Sequence, residues 1–502
     1  MELNFTGTDI CAINGTRSAP EAHYNTVVVG AGPSGIAAAI DAAKAGLRVL
    51  LVDENPVSGA LMGNDVPLYF GGRMTAATQN TERMLEAIFM SMPALETAMD
   101  AGVELLLGTT AWGVYRNGPG VASLPEQVVG LADAERSWIV GFDNIILATG
   151  GRDLAMAFPG WNQPGVMGAA ALQMLLTRYE AFAGRRVLII GSHDLALETA
   201  LLAKERGIDV VGLVEVRAAP QGRSELITKV EAAGIALYCG QTIASAKGGI
   251  NGVESATLSS GAEIACDTIC VAIGLIPSIE LVDAMHGERA LNAQRGGYIP
   301  QGEATVSAVG DCAGLTDTGF DHIAYRMEWM RALSSVSADD TIICQCEEVT
   351  RADLIGVQPP NYLTRPAPMC ARSLETLLDD GPANPDQIKR LTRAGMGVCQ
   401  GRRCRDQVAM LLAIEADKPF GTIPLASHRA PVRPLPLKIL AEWDEPAALD
   451  AAWDVWFGIP TQWVPVEDLN TPYQDEHREM LYTGMYKLAV QRLSSSAAAS
   501  LA

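Results

Sequence analysis

Four cysteines in the last third of the chain are spaced to bind metal. Cys344 and Cys346 form a C-x-C pair within ICQCEEVTRADL, and Cys399 and Cys404 a C-x4-C pair within GMGVCQGRRC. Four thiolates so arranged suit a [2Fe–2S] cluster, which takes four cysteine ligands. A structural zinc takes four thiolates equally well, Cys370 in the intervening segment could replace one ligand, and inert buried thiols are the plain alternative. The flanking Gly395, Gly397 and Gly401 leave backbone N–H groups accessible to sulfur, which tunes a centre's potential. Arg402, Arg403 and Arg405 would offset the charge of a tetrathiolate centre.

Near the other end of the chain, glycines are spaced to hold a phosphate. Gly30, Gly32 and Gly35 stand in G-x-G-x-x-G order, with Pro33 and Ser34 between the last two. A β-branched run, Thr26 to Val29, precedes them; an Ala-rich helix to Gly46, a second apolar strand, Val49 to Val52, and then Asp53-Glu54 follow. Gly30 permits the tight turn, Gly32 lets backbone approach a pyrophosphate, and Gly35 lets helix and strand pack closely. The pyrophosphate sits on free N–H groups at the helix N-terminus, and Asp53 or Glu54 can accept hydrogen bonds from a ribose. Strand, glycines, helix, strand and acid in this order make a dinucleotide-binding unit.

Two later motifs narrow the cofactor. A buried strand ends in Ala148-Thr149-Gly150, where a chain passing close to a dinucleotide has no room for a large side chain. Another, from Thr305, delivers Gly310-Asp311 to the sheet edge, where an Asp accepts a hydrogen bond from a flavin's ribityl chain. A split FAD domain enclosing an insert accounts for all three motifs, so FAD is the expected cofactor.

The insert repeats the opening logic. Arg185 to Ala203 reads as strand, turn and helix, and Asp209 to Glu215 as a second strand ending on an acid. Its turn, Gly191-Ser192-His193-Asp194-Leu195-Ala196, has His in place of the second glycine and Ala in place of the third. His193 obstructs a pyrophosphate and Asp194 sets a like charge beside it. Binding of NAD(P)H is disfavoured here; a vestigial domain or one binding another nucleotide is expected.

These sites need an α/β scaffold of two dinucleotide-binding (Rossmann-like) domains of the FAD/NAD-linked reductase type, then a small α-helical Cys-rich [2Fe–2S] domain and a C-terminal extension. The expected division is 1–155 for the first part of the FAD domain, 156–285 for the insert, 286–338 for the return, 339–420 for the cysteine domain and 421–502 for an extension that packs or contacts another subunit. Thr81 to Gly102 reads as one helix. Val103–Leu107, Ala111–Tyr115 and Gln127–Ala132 read as a small antiparallel excursion, and Thr268 to Ser278 as one buried strand with a Gly-Pro turn. Asn55 to Arg73 would line the isoalloxazine side of a flavin pocket. The tail carries Trp443, Trp453, Trp456 and Trp463 on a strap-like tract and ends in a low-complexity run.

Composition sets the outer limits. At 502 residues, 48% hydrophobic and with 49 glycines, the chain fits a large multidomain α/β enzyme. A formal net charge of −21 disfavours nucleic acid and anionic membranes as partners. No apolar run is long enough to span a bilayer, and MELNFTGTDICAING lacks the basic and apolar regions of a secretory signal. A cytoplasmic protein is the expectation. Cys239, Cys266, Cys270 and Cys312 read as free thiols in apolar or turn contexts.

With these motifs in hand, the chain resembles the α subunits of flavin-dependent amine and amino-acid dehydrogenases or oxidases. Among them are the opine oxidase A subunits and the FAD-containing subunit of hydrogen cyanide synthase. The likeness runs from about Tyr24 to Pro436 and rests on VVVGAGPSGIAAA, VDENP, AVGDCAG, CQCEEVT and RAGMGVCQGRRC followed by RAPVRPLP. It implies FAD, a [2Fe–2S] cluster on Cys344, Cys346, Cys399 and Cys404, and a D-amino-acid-oxidase-like flavoprotein β subunit that binds the amine substrate and oxidises its C–N bond. It also implies FMN at the subunit contact in some relatives and ATP in the second dinucleotide domain in others. The chain departs from the pattern at Ser58-Gly59-Ala60-Leu61, in the 52 residues between Cys346 and Cys399, and in a tail longer than expected after about residue 437. Two other readings compete: a self-contained NAD(P)H-dependent reductase of the disulfide or ferredoxin type, and a non-catalytic scaffold.

Overall fold

The computed structural model describes residues 19–57, 71–117, 124–359 and 372–441. The Ser58–Leu61 turn, Cys370 and the tryptophan-bearing tail lie outside the described residues. Residues 1–436 form one unit, and Leu437 onward a second, of which the short helix Leu437–Ala441 is described.

The opening run does form a βαβ unit: β1 (His23–Val29), α1 (Pro33–Lys44) and β2 (Val49–Asp53). It is followed by β3 (Glu104–Leu107), β4 (Thr110–Tyr115), β5 (Val128–Ala132) and β6 (Ser137–Leu147). These strands lie in the order β3-β2-β1-β6-β5-β4. Val28 of β1 sits between Leu51 and Ile146 in parallel register. Val27, Val28, Leu50 and Leu51 are buried, as expected for parallel strands covered on both faces, which is why their sequences are unbroken apolar runs. Opposite β1, the long strand β6 serves two further partners. Its first half pairs antiparallel with β5, and its last residues pair parallel with Val306–Ala308, which returns to this sheet from far along the chain.

Three expectations are corrected. The strand β3 does not join an antiparallel excursion; it extends the parallel side of the sheet beside β2, whereas β4 and β5 are antiparallel. The segment from Thr81 is two helices, Thr81–Ser91 and Ala94–Asp100. They break at Met92-Pro93 because proline lacks an N–H and pushes its predecessor out of helical geometry. The run from Thr268 likewise splits. Thr268–Val271 stays in the second sheet, while Leu275–Pro277 pairs antiparallel with Gly151–Asp153 in a separate ribbon, where a proline costs no central ladder bond.

The second sheet is parallel throughout, in the order Leu237–Cys239, Asp209–Glu215, Arg186–Ile190, Thr268–Val271, Val166–Gly168. The helix Asp194–Glu205 follows its central strand, repeating the arrangement of α1. The two lobes are laced together at Arg73, whose φ of +58° turns its side chain across the gap. Its guanidinium donates to the carbonyls of Asp267 at 2.8 Å, Asn251 at 2.8 Å and Val253 at 3.1 Å. Beside it, the Gly165 N–H donates to the Gly71 carbonyl at 2.7 Å.

The cysteine segment opens on a small hairpin, Ile342–Cys344 with Val349–Thr350, and continues mainly as helices, ending in Arg405–Glu415. Thr350 and Asp353 cap the first helix reciprocally, an arrangement that satisfies two otherwise unpaired N–H groups. Leu411, Leu412 and Cys404 share one apolar cluster with Trp329 and Leu333 of the helix His322–Val336 and with Leu188 of the second sheet. The segment is thus packed into the body of the unit. Among the described residues, no helix is long and apolar enough to cross a membrane.

Candidate functional site

The glycine turn is built as its spacing requires. Gly30 has φ +110°, and a Cβ there would strike the Ala148 carbonyl. A Cβ on Gly35 would run into the Gly30 carbonyl oxygen, so this glycine is what lets α1 close on β1. Gly32 is different: no heavy atom lies within 4 Å of where its Cβ would be. It caps α1 with extended geometry, Pro33 takes the first helical position, and Ser34 is exposed in the first turn. The N-terminus of α1 therefore opens on free space beside unpaired N–H groups, the setting that binds a phosphate.

Gly30, Gly32, Asp53, Glu54, Thr149 and Gly150 all line one cavity of about 250 Å³. The two acids divide the work. Asp53 turns inward: it accepts from the Ala31 N–H at 2.6 Å and from Asn55 N and Nδ2 at 2.8 Å, fixing the turn. Glu54 faces the cavity and is paired with Arg433. Burial pushes its carboxyl upward while Arg433 pulls it down, and burial prevails. Thr149 Oγ1 donates to the Ser278 carbonyl at 2.7 Å, which pins the turn against the chain leading to Glu280, another cavity residue. Gly310, at φ +65°, abuts Ser34, and Asp311 stands beside Gly151 at the cavity's edge rather than in its lining. Of the segment expected to face an isoalloxazine, Asn55 and Val57 line the cavity, Arg73 instead grips the other lobe, and residues 58–70 lie outside the described residues. An open helix N-terminus, a glycine with room for a phosphate and an acid for a ribose fit a dinucleotide.

The second turn is closed by its own side chains. His193 caps its helix with its ring stacked on Phe320, centroids 4.0 Å apart. The Ser192 N–H donates to the Tyr325 hydroxyl at 3.2 Å. Asp194 occupies the first helical turn and accepts from Arg223 N and Nε at 2.7 Å. Glu215, fully buried, accepts from Ser192 Oγ, Tyr325 OH and Arg217 N at 2.5, 2.6 and 2.8 Å. Burial raises its pKa.

The four cysteines come together in two pairs. Cys344 and Cys404 share a thiol hydrogen bond, as do Cys346 and Cys399. The bond from Cys399 pulls Cys346 down to about 7, while Cys399 itself is driven up by that partner and by burial. Cys404 lowers Cys344 in the same way and is raised in return. Gly395 donates its N–H to Cys344 Sγ at 3.5 Å, and Gly397 packs against Cys346 so closely that a Cβ would collide with it. Among the described residues, no group of three or more His, Cys, Asp or Glu is arranged to hold a metal ion. Of the three arginines, Arg403 donates to Gln345 at 2.6 Å, and Arg405 is paired with the buried Asp283. Part of the expected positive charge is therefore spent on a carboxylate. Cys266, Cys270 and Cys312 are free and buried, and Cys239 is free and half-buried.

Sequence reasoning missed three charged residues that join these parts. Arg433 reaches Glu54, Glu280 lines the cavity, and Arg152 bonds Glu280. Arg433 lies in the RAPVRPLP stretch, so a motif marked its neighbourhood; Arg152 and Glu280 carry no local signal. Burial opposes the Asp406 carboxylate, but Arg152 and Arg405 outweigh it and hold it below the usual range.

The chain is similar to proteins of known name. It is 25% identical over 492 residues to the opine oxidase A subunit of Agrobacterium tumefaciens (strain Ach5), spanning 83% of this chain and 91% of that one. With the HcnB subunit of hydrogen cyanide synthase from Pseudomonas aeruginosa it shares 26% over 460 residues, 75% of this chain and 90% of that one. With the sarcosine oxidase alpha subunit of Rhizobium meliloti (strain 1021) it shares 27% over 403 residues, 76% of this chain and 38% of the relative. These are the relatives expected from the motifs. The crystal structure of L-proline dehydrogenase from P. horikoshii superposes with a TM-score of 0.54 at 19% identity, covering 85% of this chain and 81% of that one, a likeness of fold. Residues 24–336 match the pyridine nucleotide-disulphide oxidoreductase family. With its open FAD-type cradle and Rossmann-like sheets, this chain belongs to the pyridine nucleotide-disulphide oxidoreductase family.

Proposed function

We propose that the chain is the redox (α) subunit of a heteromeric flavin-dependent amine or amino-acid dehydrogenase or oxidase acting on CH–NH or CH–NH2 donors. The observation that carries this reading is the meeting of four thiols, from segments 52 residues apart, in a unit that also holds an open dinucleotide cradle. FAD would rest its pyrophosphate on Gly30, Gly32, Pro33, Ser34 and Gly35, turn a ribose toward Glu54 and be flanked by Thr149-Gly150 and Gly310-Asp311. Asp53 keeps the turn in shape. Cys344, Cys346, Cys399 and Cys404 would hold a [2Fe–2S] cluster, with the Gly395 N–H bonded to one sulfur. When bound, the flavin takes up electron pairs and the cluster passes electrons on singly.

In this reading, oxidation of the C–N bond belongs to a partner, a D-amino-acid-oxidase-like flavoprotein β subunit that binds the amine, in line with the names of the relatives. The names of the relatives, subunits of opine oxidase, sarcosine oxidase and hydrogen cyanide synthase, support a heteromer. FMN at the contact is compatible with this reading. A nucleotide in the second domain would have to displace His193 from Phe320. The self-contained NAD(P)H reductase faces the same obstacle.

The test is to purify the chain with and without its co-purifying partners and to assay flavin, metal and amine oxidation. Released FAD, about two irons per chain as a [2Fe–2S] cluster requires, and amine oxidation only with a flavoprotein partner are expected. Zinc in place of iron, or full NADH-linked turnover by the chain alone, would overturn the reading.

A further inference from the structure

Arg152 follows the Thr149-Gly150 turn of the cofactor cavity and is only 2% exposed. Its guanidinium makes three directed bonds. Nε donates to Glu280 Oε1 at 2.7 Å, Nη1 to the Arg402 carbonyl at 2.9 Å and Nη2 to Asp406 Oδ2 at 2.8 Å. Glu280 is part of the cavity wall. Arg402 lies inside the loop from Cys399 to Cys404, and Asp406 is in the first turn of the helix that follows it. One side chain therefore touches the wall of the cavity and the loop that carries two of the four thiols. The planar fork of Arg can hold three acceptors in fixed directions, which the point charge of Lys cannot.

We propose that Arg152 is a positioning residue that couples the dinucleotide cavity to the cysteine loop, so that filling the cavity stiffens the loop around Cys399 and Cys404. The inference rests on the assignment of FAD to the cavity and needs no metal. A ligand against the wall restricts Glu280, Glu280 anchors one arm of Arg152, and the other two arms hold the loop. Any such coupling is reciprocal: a loop held still tightens the cavity's grip on FAD by the same factor.

The experiment uses the full-length, metal-free chain. Its thiols are alkylated with iodoacetamide, with and without saturating FAD, and the rate at each cysteine is read by peptide mass spectrometry. Wild type is expected to show labelling of Cys399 and Cys404 slowed about fivefold or more by FAD, within the usual range of coupling. Cys266, buried in the second lobe, reports general stabilisation and is expected to be slowed much less. Two variants break the link at different points. R152K keeps the charge without the fork, and D406N weakens the arm on the loop side while leaving Arg152 on Glu280 and the Arg402 carbonyl. In each, selective protection is expected to disappear while FAD stays bound. Equal protection in wild type and both variants, or parallel slowing at Cys266, would overturn the proposal. FAD bound without selective protection removes the coupling alone, whereas failure of the chain to bind FAD removes the functional reading and the coupling with it.

Discussion

The two βαβ turns share a backbone and differ in what fills them. Gly30 and Gly191 have φ of +110° and +111°, and a Cβ on either would strike a carbonyl of the neighbouring strand, Ala148 or Ala272. Gly32 and His193 cap their helices at ψ 174° and 172°. Yet beside Gly32 there is empty space, while His193 lies on Phe320. Glu54 faces a cavity, while Glu215 is enclosed by three donors. The first glycine is required by the packing of strand on strand and survives whether or not a ligand binds. The second leaves open the room a phosphate would need, and where histidine stands at that position its ring on Phe320 fills the room.

The contrast can be broken most forcefully at Gly32. Gly32→Val puts a side chain into unoccupied space, so the fold is expected to persist while FAD affinity falls at least about 100-fold, roughly 2.7 kcal/mol. Flavin retained on gel filtration at wild-type stoichiometry would show that the open space is not the phosphate site. The complementary measurement is titration of the wild type with NADH. A Kd weaker than about 1 mM, equivalent to about −4 kcal/mol, is expected because the cradle is occupied; micromolar binding would erase the difference between the turns.

Acid offers a finer test of the filled cradle. Burial, then Arg326 and His193, lower His322 to about 3, and burial lowers its neighbour His193 as well. Both rings are neutral in the folded protein above their depressed values, whereas in the unfolded chain they take up protons below about 6.5. The unfolded state then binds more protons, so stability falls as pH drops from about 6.5 toward 3. For His322 the loss between pH 6.5 and 5 is at most about 2 kcal/mol, and His322→Phe is expected to flatten that part of a denaturant-midpoint profile. An unchanged slope would mean the ring is solvated. Smallest of all, Tyr325→Phe removes one donor from Glu215 and is expected to cost about 1–2 kcal/mol in urea unfolding, with no change in bound FAD.

How far the sequence could be read depended on the range of the interaction. The glycine turn, the acid after β2 and the paired cysteines are local patterns, and their residues do gather around one cavity and in one thiol group. Asp53 and Glu54 could not be told apart: both line the cavity, and what separates their roles is the distant Ala31 N–H that claims Asp53. Pro93 is itself a helix-stop signal, but the apolar pattern continues across it and reads as one helix. The pairing of β3 was not visible, since a short apolar run does not declare its partner or direction. The ion pairs around the cavity were further still from view. Arg152 finds Glu280 across 128 positions and Arg433 finds Glu54 across 379, so no window of sequence contains both partners.

Arg73 bears on how the whole unit can work. Rotating one lobe against the other would pull its guanidinium from three carbonyls at once and part Gly71 from Gly165. Such charge-assisted bonds are individually strong and here must fail together. Any movement of this segment against the second lobe is therefore opposed by all of these bonds together. A chain tied this way is expected to turn over at an internal rate indifferent to the viscosity of the solvent.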